Sequence, residues 1–328
     1  MKPQRISTPP LVAVCFLITS IACVMLAALA WPAVHTAPRR VPVAVVASAP
    51  IYRLLQARLE RAKPGAFELH ATKSVESARA AIMNRDVYGA LLVTPQEVSV
   101  LTASAASPAV AQLLSQLPSA MRAERGSTVE DVAPATTGDP RQAGLGAAAL
   151  PLIFCGSLCT MMLGRFYRSA RTRLVGVLLV ALLGGLALTA MLQFWFGTLS
   201  GSYFLNSAVL GGSITALAVF VMGLERLLGA GGLSLGLTIM MLLGNPLSAL
   251  TSAPQLLPDG WGALGQLLPP GAFGSLLRSV AFFGGAGALQ PAVTLAAWTA
   301  VGLGLMLLAH VHPKVTRAQG REAWSVAR

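Results

Sequence analysis

Apolar positions along this chain follow two unlike patterns. Six stretches, 11–31, 143–163, 174–196, 208–224, 229–250 and 291–311, are apolar almost throughout, and none contains Lys, Arg, Asp or Glu. About 20 helical residues at 1.5 Å each cross ~30 Å of hydrocarbon, so each stretch predicts a transmembrane helix. Between the first and second, residues 36–142 are patterned quite differently. Val41, Val43 and Val45 alternate as in a strand, and Val46 and Ala47 lead to Ser48 at a helix N-cap. Ile51, Leu54, Leu55 and Leu59 recur at helical spacing, with Arg53, Arg58, Glu60 and Arg61 on the other face, until Pro64-Gly65 ends the helix. Phe67, Leu69 and Ala71 predict a second strand; Val75, Ala78 and Ile82 predict a second helix. Residues 88–93 are nearly all apolar, as in a buried parallel strand. Thr94-Pro95-Gln96 turns into a strand over 98–101, and Ser107-Pro108 opens a helix through Leu113, Leu114 and Leu117. Strands alternating with helices predict a small α/β domain with a partly parallel sheet. Residues 125–141, with Gly126, Pro134, Gly138 and Pro140, read as a linker back to the apolar part.

The expected fold is therefore a multi-pass α-helical membrane protein. It has six transmembrane helices and a small α/β extracytoplasmic domain, 36–142, inserted between helices 1 and 2. Composition agrees: 55% of the 328 residues are hydrophobic and 11% charged, against roughly 25% charged in soluble proteins. A single ordinary soluble domain, a disordered chain and a disulfide scaffold are excluded. The net charge of +12 is unevenly distributed. Residues 36–142 hold 12 basic and 9 acidic side chains, whereas the rest of the chain holds 12 basic and only 3 acidic.

That surplus sets the expected orientation. With the N-terminus inside, the inner segments 1–10, 164–173, 225–226 and 312–328 hold 11 Lys or Arg, and the short outer loops 197–207 and 251–290 hold one, Arg278. Positive charge stays on the cytoplasmic side, so both termini, 1–10 and 312–328, are expected in the cytoplasm and 36–142 outside. The first stretch follows Lys2 and Arg5, as a signal peptide would. At about 21 apolar residues it exceeds the 7–15 of a signal core, which favours an uncleaved anchor. No basic cluster with interleaved aromatics points to nucleic acid.

Motifs for chemistry are sparse. No Walker, H-E-x-x-H or C-x-x-C pattern occurs, so neither an enzyme nor a cofactor is expected in this chain. Cys15, Cys23, Cys155 and Cys159 all lie in apolar stretches, and the i, i+4 pair Cys155 and Cys159 reads as packing before metal binding. His35 and His70 read as surface residues, and His310 and His312 as interfacial anchors. A proton-driven carrier places titratable groups within its spans, and no acidic residue is found there. Any work of transport would be supplied by another chain. Candidate residues along a transport path or gate are Gln193, Asn245, Pro246 and Arg278; Pro246 removes a backbone donor and is expected to bend the fifth helix. Gly232 and Gly236 would permit a close helix approach. Residues 251–290 are too apolar for an aqueous loop and too broken for a span. They predict a re-entrant or interfacial segment with Trp261 and Arg278 at the headgroup level.

The order of parts, with residues 105–114 (AASPAVAQLL), 243–250 (LGNPLSAL) and 268–279 (LPPGAFGSLLRS), resembles permease subunits of type-2 ABC exporters. The likeness is to the actinobacterial branch akin to phage-infection-protein permeases. It implies a bacterial plasma-membrane location, a homodimer or a paired permease, and a cytoplasmic ABC ATPase as partner. It also implies export of a hydrophobic or amphipathic compound in contact with membrane lipids. The turn carrying Arg165, Arg168, Arg171 and Arg173 is then the candidate ATPase-coupling loop. The rival expectation is an envelope scaffold that recognises a partner through 36–142; a membrane enzyme is a third.

Overall fold

The computed structural model describes residues 11–94, 97–120 and 127–311. Helix α1 spans Leu11–Val34. There follow β1 (Val41–Val46), α2 (Ala49–Ala62), β2 (Phe67–Ala71), α3 (Val75–Met83), β3 (Gly89–Val93), β4 (Val98–Thr102), α4 (Pro108–Ser115), α5 (Leu117–Ala120) and β5 (Thr128–Asp131). The helical remainder is α6 (Ala143–Phe166), α7 (Ala170–Ala190, extended by a π turn over Met191–Trp195), α8 (Tyr203–Leu228) and α9 (Ala230–Ile239). A π turn over Met240–Gly244 joins α9 to α10 (Asn245–Leu247). A 3-10 turn (Pro254–Leu256), α11 (Trp261–Gln266), α12 (Pro269–Phe282) and α13 (Leu289–Val311) follow. Among the described residues six helices are long and apolar enough to cross a membrane, at the six places the sequence predicts.

The sheet has strand order β2-β1-β3-β4-β5. All its pairings are parallel except β3 with β4. The period-2 pattern divides its two faces. Val41, Val43 and Val45 pack with Leu55, Leu59 and Leu114 from α2 and α4. Ala44 and Ala90 pack on the opposite face with Ala78 and Ile82 of α3. Helix α3 opens with a reciprocal capping box between Ser74 and Ser77, and Ser107 caps α4 through the Val110 N–H. Ser48 occupies the N-cap position of α2 but makes no side-chain cap bond. The expected linker also contains strand β5, parallel to β4 and absent from the sequence reading. Its four residues are all exposed, so it carries no apolar alternation to reveal it. Pro95 and Gln96 of the predicted turn, the segment 1–10, and the tail with His312 lie outside the described residues.

Helix α8 is the axis of the helical part. Buried residues run from Asn206 to Leu224 along it, with α6, α7, α9, α12 and α13 around it. Small residues allow this. A Cβ on Gly185 of α7 would lie 2.6 Å from the Ser207 carbonyl, and one on Gly223 of α8 would lie 2.5 Å from the Gly302 carbonyl of α13. Glycine at these places lets the helix backbones touch. Gly232 and Gly236 likewise face Leu224 and Val221 of α8. Cys155 and Cys159 pack within the bundle. The outward faces stay apolar: Leu178, Leu179, Leu182 and Leu183 of α7 are each more than half exposed. Contiguous exposed surface of this kind suits a non-aqueous surrounding.

The segment 251–290 is neither a free loop nor a simple re-entrant hairpin. Phe273 and Leu277 of α12 are fully buried in the bundle core. Ala253 and Leu256 belong to one apolar cluster of the sheet unit, and Phe283 belongs to the other. The segment is thus a wedge between bundle and sheet, with most of α12 buried. Arg278, expected at the headgroup level, is only 4% exposed. Trp261 remains partly exposed at the start of α11.

Candidate functional site

Where α9 breaks, a cavity opens. The π turn over Met240–Gly244 and Pro246, which has no N–H to give to the preceding turn, end the regular hydrogen bonding of the helix. The chain then passes Ser248, whose hydroxyl donates to the Asn245 carbonyl at 2.7 Å, and Ala249, held at φ +54°. Such a conformation is unusual for a residue with a Cβ and marks local strain. The cavity holds about 370 Å³ and lies between this break, the end of α1 (Leu29, Pro32) with Thr36 just beyond it, and Gly146 at the start of α6. Asn245 lines it, half-buried, and its side-chain amide has no hydrogen-bond partner among the described residues. Among the described residues no charged side chain lines it. Of the predicted path residues, Asn245 and Pro246 therefore meet in one place.

Arg278 stands behind that place. Its guanidinium donates to the Leu250 carbonyl, and its Nε donates to Gln142 Oε1 at 3.2 Å. Gln142 is 1% exposed, and its Nε2 donates to the Ala105 carbonyl of the sheet unit at 2.8 Å. Its backbone lies in the left-handed region at φ +51°, where the chain turns into α6. Asp139 completes the turn by accepting from the N–H groups of Ala143 and Gly144, both at 2.8 Å. A carboxylate here suits the positive end of α6. Beside this, Arg85 leaves the α3–β3 turn and donates to the Ser275 carbonyl at 2.8 Å and to the Ser279 hydroxyl. Its guanidinium lies 5.5 Å from the Phe283 ring centroid. Tyr88 donates to Gln255 Oε1 at 2.8 Å. Burial, with Arg85 close by, pulls the Arg278 guanidinium down to about 10; burial pushes the Tyr88 phenol up. Arg278 thus remains charged at neutral pH, and its charge is met by neutral oxygens.

The far end of α6, 24 residues and roughly 36 Å away, holds the predicted coupling turn. Arg165, Arg168 and Arg171 are exposed there. Arg173 is not: at 6% exposure its guanidinium pairs with Glu225 at the end of α8 and donates to the Thr160 carbonyl at 3.4 Å. A Cβ on Gly164 would sit 2.7 Å from Glu225 Oε1, so glycine makes room for the pair. The four arginines are therefore split, three facing outward and one locking α7 to α8. Gln193 lies elsewhere, in the π turn of α7. It accepts from Asn206 Nδ2 at 3.1 Å and donates to the Gly201 carbonyl at 3.1 Å, a hairpin lock and not part of the cavity.

Gln142, Arg85, Glu225 and Asn206 were missed as site residues. Each sits near an element boundary, and pairing with partners 37 to 194 residues away has no local signature, save the 13 between Asn206 and Gln193. Glu225 carried a usable signal, being the only acid between 140 and 258. Among the described residues no three His, Cys, Asp or Glu side chains gather as a metal site. No protein-family model, no curated protein and no solved structure matches this chain.

Proposed function

We propose that the chain is the membrane-embedded permease subunit of an exporter that moves a hydrophobic or amphipathic compound across a bacterial plasma membrane, powered by a separate cytoplasmic ABC ATPase. The observation that carries this reading is the cavity at the break between α9 and α10, bounded by α1, a helix with little other contact to the bundle. A broken apolar helix bearing an unpartnered amide beside a cavity suits a path through a helical bundle. The absence of a nucleotide motif in the sequence leaves the work to a partner, and the exposed Arg165, Arg168 and Arg171 offer that partner a basic surface. In this reading the chain pairs with itself or a similar permease, the sheet unit lies outside and the arginine turn inside. The shared apolar packing of the sheet unit with 253–256 and 282–286 favours a part coupled to the helices over a tethered recognition module.

The test is to purify the tagged chain from its native membrane in mild detergent and identify what accompanies it. A stoichiometric ABC ATPase supports the proposal. Repeated recovery without one overturns the ABC assignment and favours the scaffold reading.

A further inference from the structure

We infer that the cavity beside Asn245 binds the head of a neutral, polyol-type amphiphile, its acyl chain lying along the exposed flank of α1. The inference rests on the six helices spanning a membrane, not on transport. Thr36, Asn245, Ser248, Thr251 and Ser252 give the lining amide and hydroxyl groups, and among the described residues no Lys, Arg, His, Asp or Glu lines it. An anionic head would be desolvated there with no counter-charge, and a cationic head likewise. Arg278 offers no rescue, since its guanidinium is turned to the Leu250 carbonyl and Gln142. A wholly apolar ligand would seal the Asn245 amide away from water without a partner, which is also costly. A head with hydroxyl or ester oxygens meets both demands. Its size suits the volume of about 370 Å³, at the lower end of small-molecule pockets.

The tail has its place too. Leu29 lines the cavity, and Leu26 and Met25 continue from it along α1; all three are exposed apolar side chains. Ala33, exposed on α1, stands at the cavity mouth. An acyl chain leaving the cavity past Leu29 therefore runs along apolar surface.

The test uses the full chain in lipid nanodiscs with a diazirine-tagged monoacylglycerol, and with the same tagged chain bearing a phosphate head or no polar head. Adducts are located by peptide mass spectrometry. The expected result is adducts within 25–36 and 245–257 from the monoacylglycerol probe, with several-fold fewer from the other two probes. Asn245→Leu should lower the yield about tenfold, as loss of one or two well-formed hydrogen bonds would. Ala33→Trp, which blocks the mouth from an exposed position, should lower it similarly while leaving the melting temperature unchanged. Equal labelling by the phosphate probe, or by the headless probe, overturns the inference. So does an Asn245→Leu variant that labels like the parent. None of these readouts requires an ATPase, so failure of the permease reading would leave the inference standing, and the reverse holds as well.

Discussion

Arg278 of α12 and Gln142 at the turn into α6 meet through a single hydrogen bond of 3.2 Å, and the same Gln142 amide reaches Ala105 in the sheet unit at 2.8 Å. One glutamine thus ties three parts of the chain together. Gln142→Leu should leave the Arg278 charge buried with the Leu250 carbonyl as its remaining partner. A loss of more than about 2 kcal/mol is expected, because an under-satisfied buried charge costs more than a neutral group. Arg278→Leu should cost less, about 1–3 kcal/mol, since it strands only neutral acceptors. The double variant should be more stable than the sum of the two losses implies. Thermal melts of the purified chain check the order.

The Arg173–Glu225 pair predicts a second graded series. Glu225→Leu leaves a nine-tenths buried guanidinium without its counter-charge and should cost about 3–5 kcal/mol. Glu225→Gln keeps an acceptor and should cost about half as much. Gly164→Val should resemble Glu225→Leu, because its side chain enters the space of the carboxylate. If Gly164→Val melts like the parent, the pair is not confined as described.

Strain at Ala249 predicts a gain. Its φ of +54° suits glycine better than alanine, so Ala249→Gly should stabilise the chain by about 1 kcal/mol. Pro246→Ala restores an N–H to the preceding turn and should raise hydrogen-exchange protection over 240–247. Unchanged exchange would mean that Pro246 does not hold the break open.

Acid should loosen the sheet at β5. Arg79 on α3 donates to Glu130 Oε1 at 2.8 Å, and this bond holds the Glu130 carboxyl below the usual carboxylate range. A lowered folded value means that the stabilisation is present in full above the ordinary value of about 4.5 and is lost only as pH falls through the lowered one. Amide exchange at 128–131, corrected for intrinsic rates, should therefore stay constant from pH 7 to 5 and rise at lower pH. Arg79→Met should raise it throughout and remove the acid step, because the interaction that lowers the Glu130 carboxyl is gone.

The elements that could be read from sequence are those whose burial is periodic and local. The six apolar helices, strands β1 to β4 and helices α2 to α4 fall where alternation or helical spacing puts them. Strand β5 could not be read, because all four of its residues face outward and only pairing with β4 makes it a strand. The wedge role of α12 was hidden for a related reason: Phe273, Ser275 and Arg278 point to three different neighbours, which averages to an ambiguous pattern. Pro246 marked the break in α9, and with it half of the cavity. The contributions of Leu29 and Gly146 come from 217 and 100 residues before Pro246 and leave no trace in the local sequence.

The proposed coupling of this chain to a separate ATPase runs through its basic turn. Its most direct test is the ATP turnover of the co-purified ATPase in liposomes, with the parent chain and with Arg165→Glu, Arg168→Glu and Arg171→Glu combined. These three side chains are exposed, so the variant should fold as the parent does. Coupling predicts turnover several-fold above that of the ATPase alone with the parent chain, and no stimulation with the triple variant. Turnover indifferent to the presence of the chain would contradict it.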